Sequence, residues 1–326
     1  MKLVILIPAL NEQATIGEVL DGIPSEIPEI DELEKIVIDD GSTDRTAELA
    51  REKGASVISH PENRGVGAAF NTGIHQAITA GADVIVNMDG DGQFDPSTIP
   101  ELIMPIVEDR ADFVTCTRFK KPELVPKMPA VKRWGNAWMS RIISTVTGKK
   151  FTDVSCGFRA YTRDTVLRLN LFGDFTYTQE SFLDLARKNV RMTEVPLPVR
   201  GEREFGQSRV ASSISRYALR AGSIILLALR DTRPLMFFGL IGLAITALGA
   251  GSGGALFIRW LIIGKTSPFQ SVVTLSAVLL IIGGLLIVLA LVADMLGRIR
   301  KNQDHLLYLQ KKQIYDRKPD DRSASS

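Results

Sequence analysis

The stretch "VIVNMDGDGQFDP", residues 84–96, sets two aspartates, Asp89 and Asp91, directly after an apolar run with the composition of a buried strand. In extended chain these two side chains project to the same side. Gly90 and Gly92 let the backbone turn and approach something closely. Two like charges held side by side are costly unless a cation lies between them. An EF-hand calcium loop needs Gly at its sixth position and Glu at its twelfth, where this chain has Phe94 and Pro100, so that reading fails. A phosphatase of the aspartyl-nucleophile type commonly carries Thr or Val two residues beyond its second aspartate; Gln93 stands there, which disfavours that chemistry without eliminating it. A divalent ion, Mg²⁺ or Mn²⁺, held by few carboxylates and completed by substrate diphosphate oxygens fits the spacing. The plain alternative is a pair that starts a turn and caps a helix.

Outward from this stretch, "KLVILI", "KIVID", "SVIS", "DVIVNM" and "DFVTC" read as strands, most of them followed by a helical pattern such as Ile16, Val19, Leu20 and Ile23. Alternation of this kind predicts an α/β domain with a parallel, Rossmann-like sheet that binds ligands at the carboxyl ends of its strands. The loops "PALNE", "DDGSTD" and "DGDGQ" each follow a strand and are expected to converge on one crevice.

The chain of 326 residues changes character at Leu235. "LMFFGLIGLAITALGAGSGGALFI" holds 24 residues without a charge and "VVTLSAVLLIIGGLLIVLALV" holds 21. About 20 apolar residues cross a bilayer core, so a two-helix transmembrane hairpin is expected over 234–297. The opening "MKLVILIPALNE" lacks the form of a signal peptide, which predicts a cytoplasmic catalytic part. Arg230 and Arg233 before the first span, with Arg298, Arg300 and Lys301 after the second, outweigh Arg259 and Lys265 between them, favouring both ends inside. Cys116 and Cys156 lack metal-ligand spacing and read as reduced thiols. The formal net charge of +2 is uninformative, and no nucleic-acid partner is expected.

Several ordered motifs over residues 1–210 resemble glycosyltransferase family 2, with its GT-A fold, and within it the dolichol-phosphate mannose synthase-like, or polyprenyl-phosphate glycosyltransferase, group. "IPALNE" resembles the family's opening motif, "VIDDGSTDRT" its nucleotide-binding segment, and "NRGVGAAFNTG" the stretch after its third strand. "DGDGQ" is similar to the group's metal motif, "DVSCGFRAY" to its acceptor-side loop and "REFGQSR" to its late signature. The processive synthases of the family carry "QxxRW"; here Arg133 and Trp134 follow "AVK" without the Gln, which disfavours a polymer synthase.

The resemblance implies residue roles. Pro8, Leu10, Glu12 and Asp39 would bind the nucleotide sugar, with Leu10 standing where many relatives have Tyr; Asp40 and Asp44 would order their loop. Asp89, Asp91 and Gln93 would hold the metal and the diphosphate, Asp91 being the catalytic carboxylate. Arg64 opens a glycine-rich turn that reads equally as a diphosphate contact or a plain turn. Arg118, Arg133 and Arg203 match acceptor-side arginines, with Ser208 and Arg209 completing an acceptor-phosphate group. A phosphate monoester is largely a dianion at pH 7, its second pKa near ~6, so a polyprenyl phosphate is already a nucleophile and needs no protein base. Guanidinium groups suit its recognition.

Two helical stretches are expected at the membrane surface. Over 131–146, Val131, Trp134, Trp138, Met139, Ile142 and Val146 form one apolar arc opposite Lys132, Arg133, Asn136 and Ser140. Over 209–230, Arg209, Arg216, Arg220 and Arg230 oppose Ile214, Ala218, Ala221 and Ile225. Both read as basic interfacial helices, with ordinary packing on the sheet as the alternative. The expected organisation is a catalytic domain over 1–210 that includes an interface helix at about 131–147, a juxtamembrane helix over 211–233, the hairpin, and a cytoplasmic tail over 298–326. The expected activity is inverting transfer of one sugar from GDP-mannose, UDP-glucose or UDP-N-acetylglucosamine to a dolichyl or undecaprenyl phosphate at the cytoplasmic face of the plasma membrane, with self-association left open. The rivals are the same fold acting on another lipid or a glycan, and a non-catalytic nucleotide-binding membrane scaffold.

Overall fold

A computed structural model describes residues 1–126, 128, 130–171, 177–200 and 234–316. The chain divides into two compact units, Met1–Ile214 with Leu307–Ser326, and Ser215–Leu306. The first unit is built on a seven-stranded sheet of β1 (Lys2–Ala9), β2 (Glu32–Asp39), β3 (Ser56–Ser59), β4 (Val84–Asn87), β5 (Phe113–Thr117), β6 (Arg159–Thr162) and β7 (Met192–Pro196). Their order is β3-β2-β1-β4-β6-β5-β7. All pairings are parallel except those of β6, which runs antiparallel to both β4 and β5. The five strands legible in the sequence are present. β6 and β7 escaped because "RAYT" and "MTEVP" are short and mix polar with apolar residues, so neither carries a clear period.

Helices α1 (Ile16–Asp21), α2 (Thr46–Glu52), α3 (Val66–Thr79) and α4 (Ile99–Val107) connect the strands. The core of the sheet is β1, in which Leu3 to Ile7 are wholly buried, as expected of a central parallel strand covered on both faces. Gly73 of α3 lets that helix sit hard on the sheet: a Cβ there would lie 2.0 Å from the Leu6 side chain.

Register places the functional loops. Ala9 pairs with Asp39, Asp39 with Ser59, and Leu6 with Asn87, and the Met88 N–H donates to the Leu6 carbonyl at 3.0 Å. "PALNE", "DDGSTD" and "DGDGQ" therefore leave the sheet at one edge, as the strand-end rule predicts. After β5 come α5 (Ala130–Thr147), α6 (Arg163–Arg168) and α7 (Tyr177–Arg187).

The second unit holds α8 (Pro234–Ile263) and the greater part of α9 (Gln270–Asp316), both long and apolar enough to cross a membrane. Their apolar side chains point outward, with Ile262 77% and Leu248 66% exposed, the reverse of a soluble core helix. Small residues line the seam between them: a Cβ on Gly283 would meet the Thr246 backbone nitrogen at 2.7 Å, and the Ser252 and Ser276 hydroxyls lie 2.8 Å apart. The expected juxtamembrane helix over 211–233 falls outside the described residues.

Beyond the second apolar segment α9 stays helical to Asp316, and its last ten residues pack within the first unit. Tyr308 hydrogen-bonds Asp164 and lies under the Arg168 guanidinium, 4.5 Å from ring centroid to Cζ. Lys311 Nζ donates at 2.9 Å to both the Leu169 carbonyl and Asn170 Oδ1, and Arg163 Nη2 reaches the Tyr315 carbonyl at 3.2 Å. The Arg163 N–H bonds the Asp83 carbonyl just before β4, so this contact lies at the sheet edge opposite the motif loops. Replacing Lys311→Ala is expected to lower the stability of the full-length protein by about 1 kcal/mol. Denaturant unfolding in detergent checks this, and an unchanged midpoint would show that the contact carries no weight.

Candidate functional site

Loops after β1 and β2 are stitched together by side chains that their own sequences supply. The Asn11 N–H donates to Ser42 Oγ at 3.0 Å and the Thr43 N–H to Asn11 Oδ1 at 2.8 Å. The Glu12 N–H donates to Thr46 Oγ1 at 2.8 Å, and the Thr46 N–H to Asp44 Oδ1 at 3.0 Å. Asp39, buried at the end of β2, accepts from the Ser42 N–H at 2.9 Å. Pro8 is buried, while Leu10 and Glu12 are half-buried on the adjoining loop. The sequence-selected nucleoside residues therefore lie at the carboxyl ends of β1 and β2 and on the loop after β1, which is locked to the loop after β2.

Asp40 is turned the other way. Its buried carboxylate meets His60 Nδ1 at 2.7 Å and accepts from the Arg64 N–H at 3.0 Å and the Gly65 N–H at 2.8 Å. These amides belong to the turn that leads into α3, so the Asp40 carboxylate orders that turn. Between the alternatives for Arg64, its backbone belongs to an ordered turn, with the side chain exposed. Gly41, with φ +78°, is required here: a Cβ would lie 2.7 Å from the Glu62 carbonyl carbon.

At the end of β4, Asp91 is 3% exposed and its Oδ1 accepts from the Gln93 N–H at 3.0 Å. Thr15 Oγ1 donates to the Gly90 carbonyl at 2.7 Å, tying the carboxylate loop to the first loop. Gln93 Nε2 donates to the Arg200 carbonyl at 3.2 Å and the Arg200 N–H to the Gln93 carbonyl at 2.9 Å. Phe94 bridges Val199 in the same ladder. The Gln93 amide nitrogen is thus committed, and its oxygen is the atom it can offer a cation. Two carboxylates and one amide oxygen suit a hard divalent ion that keeps most of its coordination sphere for water and diphosphate oxygens. Among the described residues no cluster of three or more His, Cys, Asp or Glu side chains would enclose a metal by itself.

On the other side stands the loop 152–157. Arg118, at the end of β5, donates Nε to Asp153 Oδ2 at 2.6 Å and Nη2 to Asp153 Oδ1 at 3.0 Å. Burial works against the guanidinium charge, and the Asp153 carboxylate more than offsets it, holding the Arg118 pKa above its ordinary value. Arg118 Nη2 also donates to Ser155 Oγ at 2.9 Å. Glu194 of β7 accepts from the Thr152 N–H at 2.7 Å and the Asp153 N–H at 3.0 Å; burial nonetheless pushes its pKa up. Arg133 is exposed on α5 and makes no ion pair among the described residues. Arg203, Ser208 and Arg209 lie outside the described residues; the described chain reaches Arg200 beside Gln93.

Helix α5 departs from the sequence expectation in one respect. Trp134 is 68% exposed and stacks on the half-buried Trp138 at 6.2 Å, and Ile142 is also half-buried, so the described apolar arc is only partly turned outward. Met139 of that arc is buried, as are Asn136 and Ser140, which helical plotting set on the polar face. They are buried because they hydrogen-bond the loop: Asn136 Nδ2 and Ser140 Oγ each donate to the Thr152 carbonyl at 3.1 Å. Cys116 and Cys156 are free thiols buried side by side, and their mutual hydrogen bond, with burial, pushes the Cys116 pKa up.

Three residues were not singled out from the sequence, although Arg159 lies within "DVSCGFRAY" and Asn87 within "VIVNMDGDGQFDP". Arg159 is wholly buried without an ion pair among the described residues; it donates to the Cys156 carbonyl at 2.8 Å and Ser181 Oγ at 2.6 Å and stacks on Phe182. It shapes the 152–157 loop from beneath. Asn87 donates to the Gly157 carbonyl at 2.8 Å. Tyr177 has its hydroxyl pKa raised well above the usual value by burial and then by the charge of Asp89. These contacts span 70 residues or more of chain in the case of Asn87, which no local period reveals. Asp89 itself rests against Gly157: a Cβ there would lie 3.0 Å from Asp89 Oδ2.

Comparison with known proteins follows the same lines. Residues 4–168 match the model for glycosyl transferase family 2. The UDP-N-acetylglucosamine–dolichyl-phosphate N-acetylglucosaminyltransferase of Methanococcus voltae is 32% identical over 213 residues, covering 59% of this chain and 83% of the relative. The undecaprenyl-phosphate 4-deoxy-4-formamido-L-arabinose transferase of Pseudomonas fluorescens is 31% identical over 312 residues, covering 90% and 84%. Among solved structures, glucosyl-3-phosphoglycerate synthase of Mycobacterium tuberculosis with Mn²⁺ and UDP-glucose aligns with TM-score 0.54 at 22% identity, over 69% of this chain and 78% of that one, and shares the fold.

Gly157→Ala, which drives a methyl group toward Asp89, is expected to cut donor-sugar turnover about tenfold or more while lowering stability by only about 1–3 kcal/mol. Initial rates beside unfolding curves check it; wild-type turnover would remove Asp89 from the site.

Proposed function

The chain belongs to glycosyltransferase family 2, and from that premise we propose that it transfers a single sugar from a nucleotide sugar to a polyprenyl phosphate, with inversion, at the cytoplasmic face of a membrane. The contact between Gly157 and the Asp89 carboxylate carries this reading. Gly157 belongs to the loop that also bears Asp153 and Ser155, the partners of Arg118, so a phosphate held by that arginine would lie next to the carboxylate pair. Relatives that act on dolichyl and undecaprenyl phosphates support the acceptor class, and their different sugars leave GDP-mannose, UDP-glucose and UDP-N-acetylglucosamine as donors to be tried.

In this mechanism Asp39 accepts a hydrogen from the nucleoside, and the locked loops after β1 and β2 form its pocket. Asp89, Asp91 and Gln93 would hold a Mg²⁺ or Mn²⁺ ion, which supplies charge neutralisation for the departing nucleoside diphosphate. The acceptor brings its own nucleophile, since its phosphate is largely a dianion at pH 7. Arg118 has two of its nitrogens on Asp153 and one of these also on Ser155, leaving Nη1 for a phosphate oxygen. Arg133 adds an exposed guanidinium from α5, and Arg203, Ser208 and Arg209 would follow from the segment after Arg200. The proteins' task is then to hold the dianion in line with the anomeric carbon. The outward Trp134–Trp138 pair would seat α5 in the headgroup layer, where the lipid's phosphate emerges.

Purified full-length protein incubated with each labelled nucleotide sugar is expected to form a single-sugar phosphodiester with polyprenyl phosphate and nothing with the matching prenol. Transfer to diacylglycerol or a glycan in its place would sink the reading, as would the absence of any turnover of the donor. Asp91→Asn is expected to abolish metal-dependent transfer and keep the fold, because a neutral amide balances a divalent ion poorly beside a diphosphate; unchanged Mn²⁺ dependence would contradict it. Arg133→Ala is expected to weaken acceptor use by about 2 kcal/mol or more with little effect on the donor. Acceptor saturation curves matching wild type would return Arg133 to a solvated role.

A further inference from the structure

Arg118 and Arg133 arise from different elements, the end of β5 and the first turns of α5, and two side chains connect those elements. Ser155 Oγ accepts from Arg118 Nη2 at 2.9 Å and lies 2.9 Å from Asn136 Oδ1, to which it donates. Asp153 Oδ1, at 3.0 Å, is a second acceptor for the same hydroxyl and is also the carboxylate oxygen that holds Arg118 Nη2. Asn136 is buried, and its Nδ2 donates to the Thr152 carbonyl at 3.1 Å. An amide suits this place because it offers an acceptor to a hydroxyl and a donor to a carbonyl from one planar group. Arg133 precedes Asn136 by three residues in α5 and so shares its side of the helix.

We propose that Asn136 is a positioning residue of the acceptor-phosphate site, joining α5 and its Arg133 to Arg118 through the Ser155 hydroxyl. This rests on the acceptor reading above and adds to it the group that sets the spacing of the two arginines. A phosphate between two guanidiniums gains from both only when their separation is fixed before it arrives, and a buried amide with both ends bonded fixes it at little entropic cost. The same link ties the helix that exposes Trp134 to the arginine on the sheet.

Ser140 separates this role from simple anchoring. It sits one turn further along α5, is equally buried, and donates to the same Thr152 carbonyl at 3.1 Å, with no bond to Ser155. In full-length protein in liposomes, initial rates are measured against polyprenyl phosphate at saturating donor, and against donor at fixed acceptor. Asn136→Ala is expected to lower acceptor kcat/KM about tenfold or more, with donor KM unchanged. Ser140→Ala is expected to stay within about twofold of wild type on both substrates. Asn136→Ala combined with Arg118→Ala is expected to cost less than the two losses multiplied, as for residues acting through one network. Should Asn136→Ala fail to fold, Ser155→Ala removes the middle of the link at an exposed position and is expected to give the same selective acceptor defect. Equal losses in Asn136→Ala and Ser140→Ala, parallel changes for donor and acceptor, or full additivity with Arg118→Ala would each overturn the assignment. Wild-type protein that uses no prenyl phosphate would overturn the functional reading itself, whereas a failure of the link alone leaves wild-type transfer intact.

Discussion

Asp89 and Asp91 bring two carboxylates to the loop after one strand, and the surrounding structure fixes that loop. β4 ends with its neighbours in register, so the loops after β1 and β2 stand beside the pair. Thr15 holds the Gly90 carbonyl, Gln93 gives Asp91 an amide proton, and Gly157 has no side chain to push Asp89 away. Like charges so placed favour a cation between them, and a diphosphate is the natural partner of that cation. In the proposed function, the donor side would follow from this electrostatic requirement.

Across the crevice the charge pattern reverses. Arg118 is fixed by a buried aspartate, and Asp153 and Thr152 are in turn fixed by Glu194 through their backbone amides. Beneath them Arg159 lies wholly buried against carbonyls, a hydroxyl and aromatic rings. Such an arrangement holds both guanidiniums in place by bonds to their own loop and its neighbours. Asp40, just after β2, satisfies amides of the turn between β3 and α3. In "DDGSTD" the two aspartates bond in different directions, Asp39 to the Ser42 amide of its own loop and Asp40 to the turn before α3.

Strands β1 to β5 were legible in the sequence because apolar runs ended in Gly- and Asp-rich loops, and that located the sheet edge from which the segments bearing Asp39, Asp89 and Asp91 emerge. The two apolar helices were legible from length. β6 and β7 were not, since four or five residues of mixed polarity carry no period. Helical plotting of α5 found the outward tryptophans and misplaced Asn136 and Ser140, because a polar residue is buried whenever it finds a carbonyl, and the Thr152 carbonyl lies 12 to 16 residues away in sequence. Likewise nothing local in "LVADMLGRIRKNQDHLLYLQKKQIYD" reveals that Tyr308, Lys311 and Tyr315 meet residues near 75 and 164–170. The arginines at 118 and 133 were named from motif resemblance; the aspartate, serine and asparagine that organise them came from the structure.

The most direct test of the carboxylate pair as a cation-dependent diphosphate site is calorimetric binding of a nucleoside diphosphate to the full-length protein, with Mn²⁺ and with a chelator. The geometry predicts binding that requires Mn²⁺ in the wild type and is lost in Asp91→Asn, whose unfolding curve stays close to wild type. Equal affinity with Mn²⁺ and with chelator, in both proteins, would contradict the site and reduce Asp89 and Asp91 to residues of a turn.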